Sequence, residues 1–203
     1  KLQIEPECAI ICDAQYSDGN LVSLNPKVFS ASNDCSIRKE GAKKISEKKN
    51  WGPSSKGFAG NFIKIDRFEK GGILDKYRIA SFLVRDGLAH PYGEDSAIRD
   101  YSYFYEKLLN WLIDRFNNQE NLGPAEDIHS YLNACGNPNE IMISIGATRY
   151  TEFGEHNFLK NGDISLVVLY PEDVYTYEEI LRRAERDNLE EDNISVLAQQ
   201  VIL

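Results

Sequence analysis

The sequence has 203 residues, with 23 Lys and Arg against 32 Asp and Glu, a formal net charge of −9, and 42% hydrophobic and 27% charged residues. This length and composition are typical of a single globular domain, and they exclude wholesale disorder. The negative charge disfavours nucleic acid and anionic membranes as partners, because both are themselves negatively charged. We therefore expect one domain over residues 1–203.

The apolar runs of the chain are short. The longest cover residues 79–84 and 164–170, whereas a transmembrane helix needs about 20 apolar residues. The first residues do not resemble a signal peptide. Four cysteines, at positions 8, 12, 35 and 135, lack Cys-x-x-Cys spacing, which favours reduced, buried thiols over disulfides or a zinc site. These features predict a cytoplasmic protein. Because the chain does not begin with Met, we expect an upstream segment of a longer product to be absent from it.

Several short segments have the pattern of β-strands. Alternation of apolar and polar residues, or a short apolar run bounded by turn residues, is typical of strands. A turn is expected at Asp18-Gly19-Asn20. The expected strands are residues 8–12, 21–24, 27–30, 61–66, 77–85, 140–145 and 164–170.

Three helices are expected in the rest of the chain. Asp100 can cap the first, in which Phe104, Leu108, Trp111, Leu112 and Phe116 form one apolar face. The second runs from Pro124 to the residue before Gly136, and the third from Thr176 to about Asn188, with Thr176 and Glu179 as a capping box. The apolar tail at 194–203 is expected to pack on a neighbouring subunit. Strands around a helical insert predict an α+β, β-rich fold.

The first candidate site is Glu5-Pro6-Glu7, directly before the strand at Cys8. Residues i and i+2 of an extended segment point to the same face, so both carboxylates can converge on one hard cation. Without a cation, two adjacent inward-facing carboxylates would repel each other. The alternative is that both are solvated near a chain end.

Two further polar segments follow this motif. Asp34, in Asn-Asp-Cys-Ser, can supply a third carboxylate or simply form a turn. Lys56, in a Gly/Pro/Ser turn, can transfer a proton or stabilise charge, or it can be an exposed lysine. The run from Arg38 to Lys49 carries six basic residues against two acidic ones. It is either a solvated mobile loop or a segment that steers an anionic substrate towards the site.

These segments together resemble the fumarylacetoacetate hydrolase (FAH) family. The family pattern is Glu-x-Glu at a strand start, a later Asn-Asp-x-Ser-x-Arg and then a Gly-Lys-Ser turn. The corresponding residues here are Glu5–Ile11, Asn33–Arg38 and Lys56. The order continues downstream through three more segments that resemble the family: Val84–Gly87, Glu140–Thr148 and Phe158–Ile164.

The resemblance implies a mixed β-roll with a few peripheral helices. It implies that Glu5, Glu7 and Asp34 bind Mg²⁺, or Mn²⁺ or Ca²⁺ in its place. The family acts on small 2-oxo or 1,3-dioxo acids through a metal-stabilised enolate, by C–C hydrolysis, decarboxylation or hydration. Lys56 would hold or protonate the enolate. Arg38 and Thr148 would contact the substrate, which is a small anionic oxo-acid, and the protein would be a homodimer.

The sequence departs from the family at several points. Ser144-Ile-Gly-Ala-Thr148 replaces Thr-Gly-Thr, so Arg149 can take over anion binding through its fork of donors. The His-Glu pair that activates water in hydrolytic members would lie upstream of Lys1. His90 and His156 are therefore the candidate bases, with His90 preferred, whereas His129 is expected on a helix surface.

Two other functions stay open. A family relative can keep the fold and serve as a non-catalytic ligand-binding or scaffold protein, and turnover would distinguish it from an enzyme. Nucleic-acid binding through residues 38–49 is the third possibility, and it would give salt-sensitive association.

Overall fold

The computed structural model describes residues 1–146 and 148–202 of the chain. It is rich in β-sheet with a few short helices, in agreement with the expected α+β class. The strands are β1 (Leu2–Gln3), β2 (Pro6–Ser17), β3 (Asn20–Asn33), β4 (Ser36–Ile37), β5 (Gly57–Phe58), β6 (Ile63–Lys64), β7 (Tyr77–Arg85), β8 (Leu88–Ala97), β9 (Glu140–Ile145), β10 (Ile164–Pro171) and β11 (Ser195–Gln200). The helices are α1 (Ser46–Lys49), α2 (Tyr105–Asn118), α3 (Ile128–Ala134), α4 (Glu152–His156) and α5 (Tyr177–Glu185).

Two sheets contain most of the strands. The first has the order β5-β3-β2-β9, with β6 also paired to β3, and the second has the order β11-β10-β7-β8. The pairs within both sheets are antiparallel, and a small sheet joins β1 to β4. This order explains the apparent absence of strand–helix alternation in the sequence, since antiparallel neighbours need no helical crossover.

The two central strands of the second sheet, β7 and β10, are buried on both faces. Alternate residues of β7 and β10, such as Ile79 and Val167, belong to the main core that also contains residues of β2, β3 and α2. Their neighbours, such as Phe82 and Val168, pack instead with Ile180 of α5 on the other face. A strand buried on both faces has a continuous apolar run rather than an alternating one, which accounts for the sequence of β10.

The long hairpin β2–β3 differs from the expected short strands. Residues 20–33 form one strand, whereas two separate strands at 21–24 and 27–30 were expected. The pairing of β2 with β3 shifts register at two points, where Val22 and Lys27 of β3 have no partner in β2. Each shift is a β-bulge, which absorbs one extra residue and lets the strand continue. The turn predicted at Asp18–Gly19 is confirmed, since it joins these strands.

Four other expected boundaries are wrong. Of residues 61–66, only 63–64 pair as a strand. Asp100 ends a short 3₁₀ turn, and α2 begins at Tyr105 after Phe104. The second helix begins at Ile128 rather than Pro124, because the Asp127 side chain accepts a hydrogen bond from the Ser130 N–H and caps it there. The third helix ends at Glu185, although its Thr176 cap is confirmed by the hydrogen bond from the Glu179 N–H.

The apolar tail lies within its own chain. Residues 195–200 form β11 and pair with β10, so that Ile194 and Leu197 are buried in this molecule. The expectation that the tail packs on a neighbouring subunit is therefore wrong for these residues, and Leu203 lies outside the described part of the chain. No helix among the described residues is long and apolar enough to span a membrane.

Candidate functional site

The open end of the β2–β3 hairpin carries the three predicted metal ligands. Glu7 pairs with Ser32 and Pro6 with Asn33, and the ladder extends one step beyond them through the hydrogen bond from the Asp34 N–H to the Glu5 carbonyl, at 3.0 Å. This pairing brings the start of β2 and the end of β3 side by side. One carboxylate oxygen from each of Glu5, Glu7 and Asp34 lies within 4.8 Å of the others. The structure therefore brings together three residues separated by up to 29 positions of sequence.

Glu7 is the buried member of this carboxylate cluster. The residue is 8% exposed, and within the described part of the chain its carboxylate has no hydrogen bond or ion pair. Burial, and secondarily the negative charge of Asp34, raises the pKa of Glu7 from its ordinary 4.5 to about 7. A buried carboxylate without a partner is costly unless a cation or a proton compensates its charge.

Lys49 belongs to the site, although the sequence did not predict it. It ends α1, and its ammonium contacts Glu5 Oε2 and lies 3.1 Å from Asp34 Oδ2. Only 15% of its side chain is exposed. The sequence places it in a basic run and gives it no feature that distinguishes it from Lys48, which is exposed. The basic run at residues 38–49 was expected to be a mobile loop or a segment that steers an anionic substrate. One of its lysines, Lys49, contacts two of the carboxylates directly.

Lys56 and Arg38 add positive charge on either side of the cluster. The Lys56 ammonium contacts Asp34 Oδ1, and its side chain is 51% exposed. The Arg38 guanidinium lies 3.8 Å from Glu5 Oε1 and donates a hydrogen bond to the Tyr150 hydroxyl at 3.2 Å. The two predicted residues are therefore in contact with the predicted ligand cluster.

Thr148 and Arg149 are the remaining predicted substrate-binding residues, and within the described part of the chain neither has a hydrogen bond or ion pair to the carboxylates. Thr148 follows Ala147, which lies outside the described residues. The Oγ1 atom of Thr148 is buried without a hydrogen-bond partner. This atom lies 2.6 Å from the position that a Cβ on Gly93 would take. Arg149 is exposed, and its carbonyl accepts a hydrogen bond from the Glu94 N–H. No contact among the described residues joins Arg149 to the cluster.

The histidines do not contact the cluster either, within the described part of the chain. His90 stacks on Phe153 with ring centroids 4.6 Å apart and planes 11° from parallel. His156 ends α4. His129 lies on α3, where its Nε2 is 3.0 Å from the Asn133 side-chain amide.

Asn33 connects the cluster to the second sheet. Its Oδ1 accepts a hydrogen bond from the Glu5 N–H at 3.0 Å, and its amide donates to Gln199 Oε1 at 2.9 Å. Gln199 also lies directly against Gly57, the residue after Lys56. One strand of the second sheet therefore supports both the carboxylates and the turn that carries Lys56. Sequence reasoning missed Gln199, since its relevance depends on a contact across 166 positions.

A cleft of about 350 Å³ opens beside the cluster. Glu7, Asp34 and Lys56 lie in its wall, so that negative and positive groups converge on the same space. Its other lining residues are Asn33, Gly57, Phe58, Met142 and Ser144. A larger groove of about 790 Å³ lies elsewhere, beside residues 187–192, and none of the three clustered carboxylates lines it.

Solved structures with the same fold are identified by comparison of coordinates. The chain is similar to a 2-keto-3-deoxyarabinonate dehydratase in a hexagonal crystal form, with 17% identity and a TM-score of 0.57 over 98% of this chain and 50% of that one. It is similar to a protein named Cg1458, solved with an inhibitor, with 14% identity and a TM-score of 0.56 over 100% and 58% of the two chains. It is also similar to an apo form of 2-keto-3-deoxy-D-arabinonate dehydratase, with 16% identity and a TM-score of 0.52 over 99% of this chain and 52% of that one.

These comparisons define the fold and the family. The chain spans about half the length of the solved proteins that it resembles, and at this identity the likeness shows a shared fold. The chain belongs to the family of unknown function DUF5718, whose pattern it matches over residues 1–201. No curated protein matches its sequence significantly.

Proposed function

We propose that the protein is a divalent-metal-dependent enzyme, a divergent relative of the FAH family, that acts on a small 2-oxo or 1,3-dioxo acid. The observation that supports this most directly is the convergence of Glu5, Glu7 and Asp34 within 4.8 Å, with the Glu7 carboxylate buried and unpaired among the described contacts. The cleft beside the cluster provides space for a small substrate.

The residues fit a hard divalent cation. All three donors are carboxylate oxygens, which Mg²⁺, Mn²⁺ and Ca²⁺ prefer. Among the described residues no side chain bonds the Glu7 carboxylate directly, and the charges of Lys49 and Lys56 offset the effect of its burial only in part. Glu5, Glu7 and Asp34 would hold the ion. When bound, the cation would polarise a substrate carbonyl and stabilise the negative charge that develops on its oxygen.

The positive side chains of the site would bind and orient the anionic substrate. Lys56 is half-exposed in the cleft wall, where its ammonium can hold a developing negative charge or donate a proton to it. Arg38 would contribute a second positive charge beside Glu5. Substrate binding by Thr148 and Arg149 and the role of His90 as a base stay predictions. A homodimeric state and a cytoplasmic location also stay predictions.

The solved relatives favour one reaction type over the others. Two of the structures with this fold are of a dehydratase of a 2-keto-3-deoxy sugar acid. By analogy of fold, we infer that addition or loss of water next to a keto group is the first reaction to test, before C–C hydrolysis or decarboxylation.

A non-catalytic relative is the second candidate function. In the described part of the chain no histidine contacts the carboxylates, and Lys49 already bonds two of them. Such a protein would bind a metal or an oxo-acid without turnover.

Calorimetry with Mn²⁺, alone and with oxalate, tests the metal site. We expect the parent protein to bind one Mn²⁺ per chain and oxalate only in the presence of metal. Glu7→Gln should weaken Mn²⁺ binding by at least about 100-fold, because loss of a direct charged ligand should cost no less than loss of a group that merely supports a ligand, which costs about 10–100-fold. Asp173→Asn is the matched control, because Asp173 is a half-exposed carboxylate paired with Lys76.

Absence of Mn²⁺ binding by the parent would exclude the proposed function. If the parent binds Mn²⁺, it is incubated with a panel of 2-keto-3-deoxy sugar acids and acylpyruvates. Turnover is measured by loss of substrate absorbance and by the mass of the products. Turnover identifies an enzyme, and its absence indicates a non-catalytic relative.

A further inference from the structure

Three oxygen atoms of Glu5 and Asp34 surround the ammonium of Lys49. It contacts Glu5 Oε2, lies 3.1 Å from Asp34 Oδ2, and donates a hydrogen bond to the Asp34 carbonyl at 3.1 Å. An ammonium has three N–H donors and no acceptor, and here two of the donors have hydrogen-bond acceptors while Asp34 Oδ2 lies at ion-pair distance. Lys49 is therefore held as a bound cation would be, rather than as a solvated surface charge.

The fold holds the segment that carries Lys49. Lys44 donates a hydrogen bond to Asn121 Oδ1 at 2.6 Å, and the Ile45 N–H donates to the Pro124 carbonyl at 3.2 Å. Ser46, the first residue of α1, donates to Glu126 Oε1 at 3.0 Å. These contacts fix α1 against residues 121–126, so that Lys49 is delivered to the carboxylates by the chain's own structure.

We infer that Lys49 is the internal cation of this site and determines which ions can bind it. A divalent cation takes its oxygen ligands at about 2.0–2.6 Å. If it bound both Glu5 and Asp34, it would lie within a few ångströms of an ammonium bonded to the same carboxylates, and the two positive charges would repel strongly. The divalent ion must therefore displace the Lys49 ammonium from them. This inference depends on the proposed metal site.

This arrangement makes the site selective for charge. A monovalent cation that displaced Lys49 would exchange one positive charge for another and lose the two hydrogen bonds of the ammonium and its ion pair with Asp34. A divalent cation adds a second charge to three carboxylates, and its attraction to them is correspondingly larger. Lys49 would thus exclude Na⁺ and K⁺ from the cluster, and it would lower the affinity for divalent ions by the cost of its own displacement.

The first test is calorimetry of Mn²⁺ binding to Lys49→Met and Lys48→Met. Methionine keeps the length of the side chain without its charge, and Lys48 is the exposed neighbour on the same helix. We expect Lys49→Met to bind Mn²⁺ at least tenfold more tightly than the parent, a change of about 1.4 kcal/mol, and Lys48→Met to bind as the parent does. In Lys49→Met alone, replacing choline chloride by KCl at equal ionic strength should weaken Mn²⁺ binding.

The second test uses the unmodified protein and therefore does not depend on a variant that folds. Lysines are acetylated with an N-hydroxysuccinimide ester, with and without Mn²⁺, and the sites are quantified by mass spectrometry. We expect Mn²⁺ to increase acetylation of Lys49 several-fold and to leave that of Lys48 unchanged.

The outcomes separate this inference from the proposed function. If the parent binds Mn²⁺ but Lys49→Met binds no more tightly and Lys49 labelling does not rise, Lys49 is not the competing cation, and the metal site stands. If only Lys49→Met binds Mn²⁺, Lys49 is confirmed as the occupant, and the metal-dependent function of the parent fails. If neither binds, both are refuted.

Discussion

Glu7→Gln should make the metal-free protein more stable. Glutamine has nearly the shape of a protonated glutamic acid but cannot ionise. In the folded parent, burial and the charge of Asp34 raise the pKa of Glu7 from 4.5 to about 7. Above that pH the folded protein must hold an unpaired buried negative charge, and the substitution removes it.

The size of the effect follows from the two pKa values. The difference between 4.5 and about 7 is about 2.5 pH units, which corresponds to about 3 kcal/mol at 1.36 kcal/mol per unit. The folded state binds the proton more tightly than the unfolded state. The contribution of Glu7 to stability is therefore fully present below pH 4.5, decreases between pH 4.5 and 7, and is constant above. The variant and the parent should be equally stable at pH 4 and differ most at pH 8.

Urea unfolding in EDTA at several pH values measures this difference. Glu5→Gln is the matched control, because Glu5 accepts a hydrogen bond from Ser36 at 2.7 Å and contacts Lys49, so its neutralisation should destabilise the protein. Adding Mn²⁺ at about 100 times the Kd of the parent should stabilise the parent by about 2.7 kcal/mol and Glu7→Gln by no more than about 0.4 kcal/mol. The reasoning is refuted if metal-free Glu7→Gln at pH 8 is no more stable than the parent.

Two further substitutions test buried contacts outside the carboxylate cluster. Asp163 is 4% exposed and accepts two hydrogen bonds from one arginine, so Asp163→Asn should cost about 3 kcal/mol in urea unfolding, whereas exposed Asp173→Asn should cost less than about 1 kcal/mol. A Cβ on Gly154 would lie 2.1 Å from the Tyr92 carbonyl oxygen, so Gly154→Ala should cost about 1–3 kcal/mol. Gly60→Ala, with open space around it, should change stability little, and equal effects in either pair would contradict the packing argument.

The sequence predicted those elements of the fold that have strong local patterns. The strands at 77–85 and 140–145 have the expected bounds, because apolar runs there end at turn residues. The start of α2 was not predictable from Asp100, since tertiary packing of Phe104 against the core, rather than a local cap, precedes the helix. The tail at 194–203 looked unpartnered only because its partner, β10, lies about 30 residues earlier.

The candidate site was predictable to the extent that it depends on local motifs. Glu5, Glu7 and Asp34 were identified from short patterns, and the hairpin brings them together. Lys49 and Gln199 were not identified, because their positions depend on how a loop and a C-terminal strand pack on that hairpin. The short motifs thus predicted the clustered carboxylates, whereas the residues that balance their charge or support their positions could be found only from the tertiary structure.

The two bulges in β3 also bear on how this hairpin can vary among relatives. Val22 and Lys27 have no partner in the backbone register of β2, so either can be deleted while every register pair remains, including Glu7 with Ser32. Deletion of Lys27 also removes its ion pairs with Asp13 and Glu140. A deletion elsewhere in the strand can be absorbed when a bulge straightens. The interval of 27 positions from Glu7 to Asp34 is therefore not a fixed requirement of the chemistry. Homologous hairpins shortened by one or two residues here should still hold all three carboxylates, and a motif search with rigid spacing would overlook them.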